Sequence, residues 1–317
     1  MKIEFLLLPL LQATHVSAHG FVWKLGVNTQ TYTGNLPGAT AAASVIREIA
    51  TQDPVKGATN PSLTCGQNST PGSLVADANP GDAVTFDWRG GGLGNWPHTT
   101  GPMLTYMANC GAKACNEFDI TQAKWFKIQQ DGMMSASTWY LANVAAGAVA
   151  NASIPRNLAP GNYLIRHEII ALQIAVSEGG AEFYPSCSQL RVGGDQTGAP
   201  QASELVSLPG AYSDTDPGIY TPDVYNPGFT YTFPGPPISS FISGDATVNN
   251  GPTSGNTTSP PTTTASTSSP SPTSSSSSKF CRIVKGPAAQ ENQLFYARHA
   301  DRIMKKFGRS NAFAAYH

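Results

Sequence analysis

Short apolar or alternating runs, broken by Gly, Pro and Asn, are the feature that most limits how this chain can fold. Residues 21–27, 73–76, 83–88, 103–108, 148–150, 161–172 and 183–192 read as strands, and their spacing predicts an all-β antiparallel sandwich. Along 161–172, Tyr163, Ile165 and His167 alternate with Leu164, Arg166 and Glu168. Period two therefore puts His167 on the face of Tyr163 and Ile165. The connections at 28–63, 113–144 and 207–237 are long for a plain sandwich, and ordered loops of that length usually carry function. One short helix is expected near 122–129.

The two ends differ from the middle. Residues 1–18 carry a lone Lys2, a Leu- and Phe-rich run and small residues up to Ala18, the pattern of a secretory signal cleaved after Ala18. From about Ser239 the chain turns to Ser, Thr, Pro, Asn and Gly, a composition that buries too little apolar surface to offset ordering. The expected organisation is a signal at 1–18, one domain at 19–237, a disordered linker at 238–278 and a basic extension of unknown role at 279–317. The domain, about 220 residues, is long enough for one substantial core. With 12% charged residues and a net formal charge of -1, no field exists to attract nucleic acid or an anionic membrane. No run after the signal approaches the roughly 20 apolar residues of a membrane span. A secreted monomer with a neutral partner is the expectation. Cys65, Cys110, Cys115 and Cys187 allow three disulfide connectivities, with Cys281 left over. Asn68, Asn151 and Asn256 open glycosylation acceptor patterns.

The candidate chemistry begins at Ala18-His19. Cleavage there makes His19 the first residue, and a histidine with a free α-amine offers one metal ion two neutral nitrogens. His98, in the rigid loop Asn95-Trp96-Pro97-His98, is placed to supply a third. Amine and imidazole nitrogens favour copper; the nitrogen set alone leaves zinc open. In Glu182-Phe183-Tyr184-Pro185-Ser186-Cys187, alternation sets Glu182 and Tyr184 on one surface. The plain reading of Tyr184 is an ordinary half-buried strand tyrosine. No Gly-x-Ser-x-Gly elbow is present. Asp82, Asp87, Glu168 and Glu182 form no evident pair for glycoside hydrolysis.

Taken together, His19-Gly20 after the signal, the Asn95–His98 loop with Gly101-Pro102, the run from Gly161 through His167-Glu168 to Leu172, Phe183-Tyr184-Pro185-Ser186-Cys187, and Pro209-Gly210-Ala211-Tyr212 with Asp216-Pro217-Gly218-Ile219 resemble the fungal copper-dependent lytic polysaccharide monooxygenases of auxiliary activity family 9, over about residues 19–237. The resemblance implies an immunoglobulin-like or fibronectin III-like sandwich with a flat face centred on one copper ion. It implies His19 and His98 as copper ligands with Tyr184 axial, and His167 beside the oxygen position. It pairs Cys65 with Cys187 and Cys110 with Cys115, and offers Tyr212, and less strongly Tyr225, as sugar platforms. The implied reaction is C1 or C4 hydroxylation of cellulose or a related β-1,4-glucan. Its co-substrate is O2 or H2O2, and its electrons come from a small reductant or an extracellular electron-donor enzyme.

Two departures stand out. Glu182 replaces the usual Gln next to the oxygen position, where an ionised carboxylate only accepts hydrogen bonds. Gln173 stands where members often carry His, a position expected to be peripheral. The contrasting reading is a secreted noncatalytic copper- or carbohydrate-binding protein on the same scaffold.

Overall fold

The computed structural model describes residues 18–242, all within one compact unit. Most of the signal, most of the linker, the basic extension, Asn256 and Cys281 lie outside the described residues. The strands are β1 (Gly20–Val27), β2 (Gln30–Thr33), β3 (Ala76–Ala78), β4 (Ala83–Gly90), β5 (Met103–Asn109), β6 (Trp125–Asp131), β7 (Met133–Ser135), β8 (Thr138–Trp139), β9 (Ala150–Ser153), β10 (Gly161–Ala171) and β11 (Glu182–Val192). They build a sheet in the order β2-β1-β4-β9 and a second in the order β3-β11-β10-β5-β6, with β7-β8 as a small hairpin. The architecture is an immunoglobulin-like β-sandwich. Within the two main sheets every strand pair is antiparallel except β3 with β11.

Burial follows chemistry along each strand. In β4, Val84, Phe86, Trp88 and Gly90 are buried while the residues between them are not, as expected of a strand with one covered face. β10 is buried on both faces beyond Asn162. Its inner face meets the other sheet, and loops cover the outer. There Arg166 donates to the carbonyls of Leu63 and Thr64, and Tyr212 donates to Glu168. The long 28–63 connection lies along β11 through bridges at Ile46–Ser188 and Val55–Phe183. Disulfide Cys65–Cys187 ties the same region, and Cys110–Cys115 closes a small loop after β5, the pairing the resemblance implies. Asn68 and Asn151 are exposed.

The expected helix near 122–129 is a strand. Asp119 caps a single turn at Ile120–Gln122, and β6 follows, paired with β5. Its residues Trp125 to Gln129 are buried on both sides, which erases the alternation that marks a half-buried strand. The helix, α1 (Leu141–Ala145), lies later. Two short strands are displaced from their expected positions, to Ala76–Ala78 and Ala150–Ser153. The backbone around them is used elsewhere: Leu74 donates to Ser44, and Ala148 donates to Asn143 at the end of α1. Packing also passes the expected boundary at Pro237, because Ser239 donates its amide to Lys127 and Ile242 is buried.

Candidate metal centre

His19 sits at the entrance to β1, where Gly20 pairs with Gly90. A Cβ on Gly20 would come 2.4 Å from the Arg89 carbonyl and 2.9 Å from the Trp96 ring, so only glycine lets His19 approach so closely. The loop carrying His98 is anchored at both ends. An Arg89–Asn95 bridge fixes its start. At its exit Gly101, at φ +133, lies against the Ile170 carbonyl, and Thr100 and Pro102 accept the amides of Leu172 and Ile170. Between them Trp96 is buried, packing edge-on against Trp88 at 5.3 Å, His98 at 5.5 Å and Tyr184 at 4.9 Å.

Three candidate residues therefore converge. The Tyr184 ring lies 6.3 Å from that of His19 and 6.1 Å from that of His98. His98 Nε2 is buried without a hydrogen-bond partner, with Glu182 Oε2 3.6 Å away. Burial holds the His98 ring below its usual pKa, while Glu182 and the Ala18 backbone pull in the opposite direction. A buried ring nitrogen with no protein partner, facing a second histidine and a phenol, is the environment of a metal ligand. Among the described residues, no three His, Cys, Asp or Glu side chains gather to hold a metal. The candidate set differs because it needs the His19 α-amine, which is an amide nitrogen while Ala18 precedes it. With that amine the donors fit copper.

Glu182 is 7% exposed and forms the centre of a compact network. Its Oε2 accepts from Gln173 Nε2 at 2.7 Å and from the Tyr184 hydroxyl at 3.0 Å, while Lys56 Nζ stands 3.3 Å from Oε1. Burial alone would raise its pKa; the Gln173 bond, the Lys56 charge and the Tyr184 bond outweigh it and hold the carboxyl below the usual range. The Tyr184 phenol moves upward through burial and then through the Glu182 charge.

Other expected site residues fall elsewhere. His167 is 1% exposed inside the sandwich, stacked on Phe86 at 4.3 Å, with its Nδ1 accepting from Trp88 Nε1 at 3.1 Å. Burial and the Arg166 charge depress its pKa to about 3. The Trp88 and Trp96 rings link it to His98, which makes it a core residue instead of a group beside the oxygen position. Gln173, expected to be peripheral, touches Glu182 directly. Tyr212 is likewise no sugar platform: it is buried, donates to Glu168 at 2.9 Å and shares a 2.8 Å bond with Tyr106. Tyr225 remains 61% exposed and donates to the Gln173 carbonyl. Sequence reasoning missed Asp53, which holds His19 Nδ1 at 2.9 Å, and Lys56. Neither lies in a recognisable motif; both depend on the Val55–Phe183 bridge, which brings a distant loop to β11.

A profile of Auxiliary Activity family 9, formerly GH61, matches residues 19–231. An AA9 family lytic polysaccharide monooxygenase D of Gloeophyllum trabeum is 51% identical over 80% of this chain and 74% of its own length. The crystal structure of HiLPMO9B superposes with a TM-score of 0.63 at 37% identity, covering 69% of this chain and 99% of that one. A cellulose-active polysaccharide monooxygenase from M. thermophila gives a TM-score of 0.61 at 33% identity, over 69% and 98%. The chain belongs to auxiliary activity family 9. It is a secreted enzyme that cleaves β-1,4-glucan oxidatively with O2 or H2O2 and an external reductant, and its family implies a single catalytic copper ion.

Proposed function

We propose that copper would be held by the α-amine and ring of His19 and by His98 Nε2, with the Tyr184 hydroxyl as a further oxygen donor beside them, and that the substrate is cellulose or a closely related glucan. The buried, unpartnered Nε2 of His98 is the observation that carries this reading. Bound copper supplies one-electron redox chemistry and activation of the oxygen co-substrate; hydroxylation at C1 or C4 then leads to chain cleavage. The remaining residues place and insulate the ligands. Trp96 walls the pair of rings and fixes Tyr184 edge-on. Glu182 receives the Tyr184 proton in a hydrogen bond, which orients the phenol oxygen and keeps it protonated. Gln173 and Lys56 complete the support of that carboxylate. Tyr225, exposed beside Gln173, is the residue placed to stack on sugar.

Processing is part of this function. Cleavage after residues 1–18 releases the amine, and the ring nitrogen nearest it is Nδ1, the one Asp53 holds in the uncleaved chain. Copper binding therefore requires Asp53 to release Nδ1. The catalytic domain is the sandwich from His19, followed by a Ser/Thr/Pro-rich linker and a basic extension; the monomer is the working unit. The test compares protein beginning at His19 with protein extended by Ala18 and upstream residues. The processed form should bind copper 1:1, tightly, and with a reductant release C1- or C4-oxidised oligosaccharides from cellulose, detected by mass spectrometry. The extended form should lose at least tenfold in copper affinity. Equal affinity of the two forms rejects the amine ligand, and absence of oxidised products from copper-loaded processed protein rejects cellulose as the substrate.

A further inference from the structure

The Lys56 ammonium has three N–H donors, and three acceptors surround it: the Gly180 carbonyl at 3.0 Å, the Ala181 carbonyl at 3.4 Å and Glu182 Oε1 at 3.3 Å. All three belong to the chain entering β11. Lys56 is delivered there by the reciprocal Val55–Phe183 backbone bonds, at 2.8 and 3.1 Å. Its side chain is 44% exposed, so the three contacts account for its position better than packing does. On the other side of the carboxylate, Oε2 accepts two hydrogen bonds, from Gln173 and Tyr184. The oxygen nearest His98 Nε2, at 3.6 Å, thus has both of its usual acceptor directions in use.

Resting on copper at His19 and His98, we propose that Lys56 is a positioning residue that keeps Glu182 outside the copper coordination sphere, as a fixed negative charge beside the metal instead of a ligand to it. Its ammonium ties down Oε1 and partly compensates the carboxylate, while Tyr184 and Gln173 occupy Oε2. Without Lys56, Oε1 loses the ammonium beside it and the carboxylate is free to turn toward the metal. An anionic oxygen ligand stabilises Cu(II) over Cu(I).

The test uses processed, full-length protein carrying Lys56→Met, Lys56→Arg, Glu182→Gln and the double Lys56→Met/Glu182→Gln, each first checked for native circular dichroism and 1:1 copper binding. Failure of the wild type to bind copper would sink the metal assignment itself. Where the wild type binds, Lys56→Met should change the Cu(II) electron paramagnetic resonance spectrum. It should also favour Cu(II) over Cu(I) at least tenfold, a fall of about 59 mV in the one-electron potential. Lys56→Arg should restore most of the wild-type signal, since it retains the cation. In the Glu182→Gln background the Lys56→Met change should leave the spectrum nearly unmoved. An unchanged spectrum and potential in Lys56→Met overturns the inference. Equal shifts with and without the carboxylate overturn it too, because Lys56 would then act on the metal only as a distant charge.

Discussion

Two carboxylates in neighbouring strands, Glu168 and Glu182, have partners of the same kinds and opposite uses. Each is paired with a cation and accepts a tyrosine hydroxyl on Oε2: Arg166 and Tyr212 for Glu168, Lys56 and Tyr184 for Glu182. Glu168 is fully buried, and Arg166 uses its remaining reach on the carbonyls of Leu63 and Thr64. Tyr106 closes the cluster from the far side. Glu182 lies at the edge of the sheet beside a histidine nitrogen that no protein atom satisfies. A satisfied polar network in a dry interior holds loops onto a sheet. The same kind of network beside an unpartnered histidine nitrogen is the one proposed to support the metal site.

Removing the sealed carboxylate should produce the largest effect. Glu168→Ala leaves the Arg166 guanidinium buried with carbonyl partners only, and loss of one member of a buried ion pair costs about 3–5 kcal/mol. Urea unfolding followed by tryptophan fluorescence measures it. A loss under 1 kcal/mol, roughly the value of an exposed pair, would mean that the cluster is not the sealed structural unit contrasted here with the Glu182 site.

The contrast extends to histidine, and acid brings it out. His98 stands in the loop between β4 and β5 and is proposed as a metal ligand; His167 lies inside the sandwich, and its pKa is depressed from 6.5 to about 3 by burial and the Arg166 charge. A histidine whose folded pKa is depressed contributes stability that is fully present above its unfolded pKa and lost as pH falls. The window here runs from about pH 6.5 to about pH 3. The unfolded chain takes up a proton there that the folded chain refuses. Unfolding free energy measured across that window in metal-free protein should fall by a few kcal/mol in the wild type. In His167→Gln the decline should be shallower, with the contributions of His98 and the carboxylates left. Parallel curves for the two proteins would exclude His167 as a buried neutral base.

His167 also shows what could be read from the chain and what could not. Period two correctly placed it on the face of Tyr163 and Ile165, and that face is the inter-sheet interior. Alternation tells which residues share a face but not which face meets the site, so it did not correct the resemblance's placing of His167 beside the oxygen position, where Gln173 is the residue touching Glu182. Tyr212, which the resemblance offered as a sugar platform, instead sits in a loop that folds back over β10 and buries its ring. The strands with one covered face were legible because polar and apolar residues alternate along them. β6 was not, being covered on both sides. His19, His98, Tyr184 and Glu182 could be picked out because they lie in the motifs that carry the family resemblance, whereas Asp53 and Lys56 reach the site through a long-range bridge that leaves no local trace.

The smallest effects should separate the two tyrosines. Tyr212→Phe takes one donor from Glu168, which keeps Arg166, and strips the fully buried Tyr106 hydroxyl of its acceptor, leaving a buried donor unsatisfied at a cost of about 1–3 kcal/mol. Tyr184→Phe withdraws one from Glu182, which keeps both Gln173 and the half-exposed Lys56. Its cost should be nearer the net value of a single hydrogen bond, about 0.5–1.5 kcal/mol. The copper spectrum should rank them the other way. Tyr184→Phe removes the proposed oxygen donor to copper and should alter the Cu(II) electron paramagnetic resonance signal, while Tyr212→Phe should leave it as in the wild type. Thermal unfolding of the metal-free variants gives one ordering and spectroscopy of the copper-loaded variants the other. If Tyr184→Phe proves the more destabilising and leaves copper unchanged, then Glu182 and Tyr184 belong to the structural network, and the division between the two carboxylates fails at the residue where it is most exposed to test.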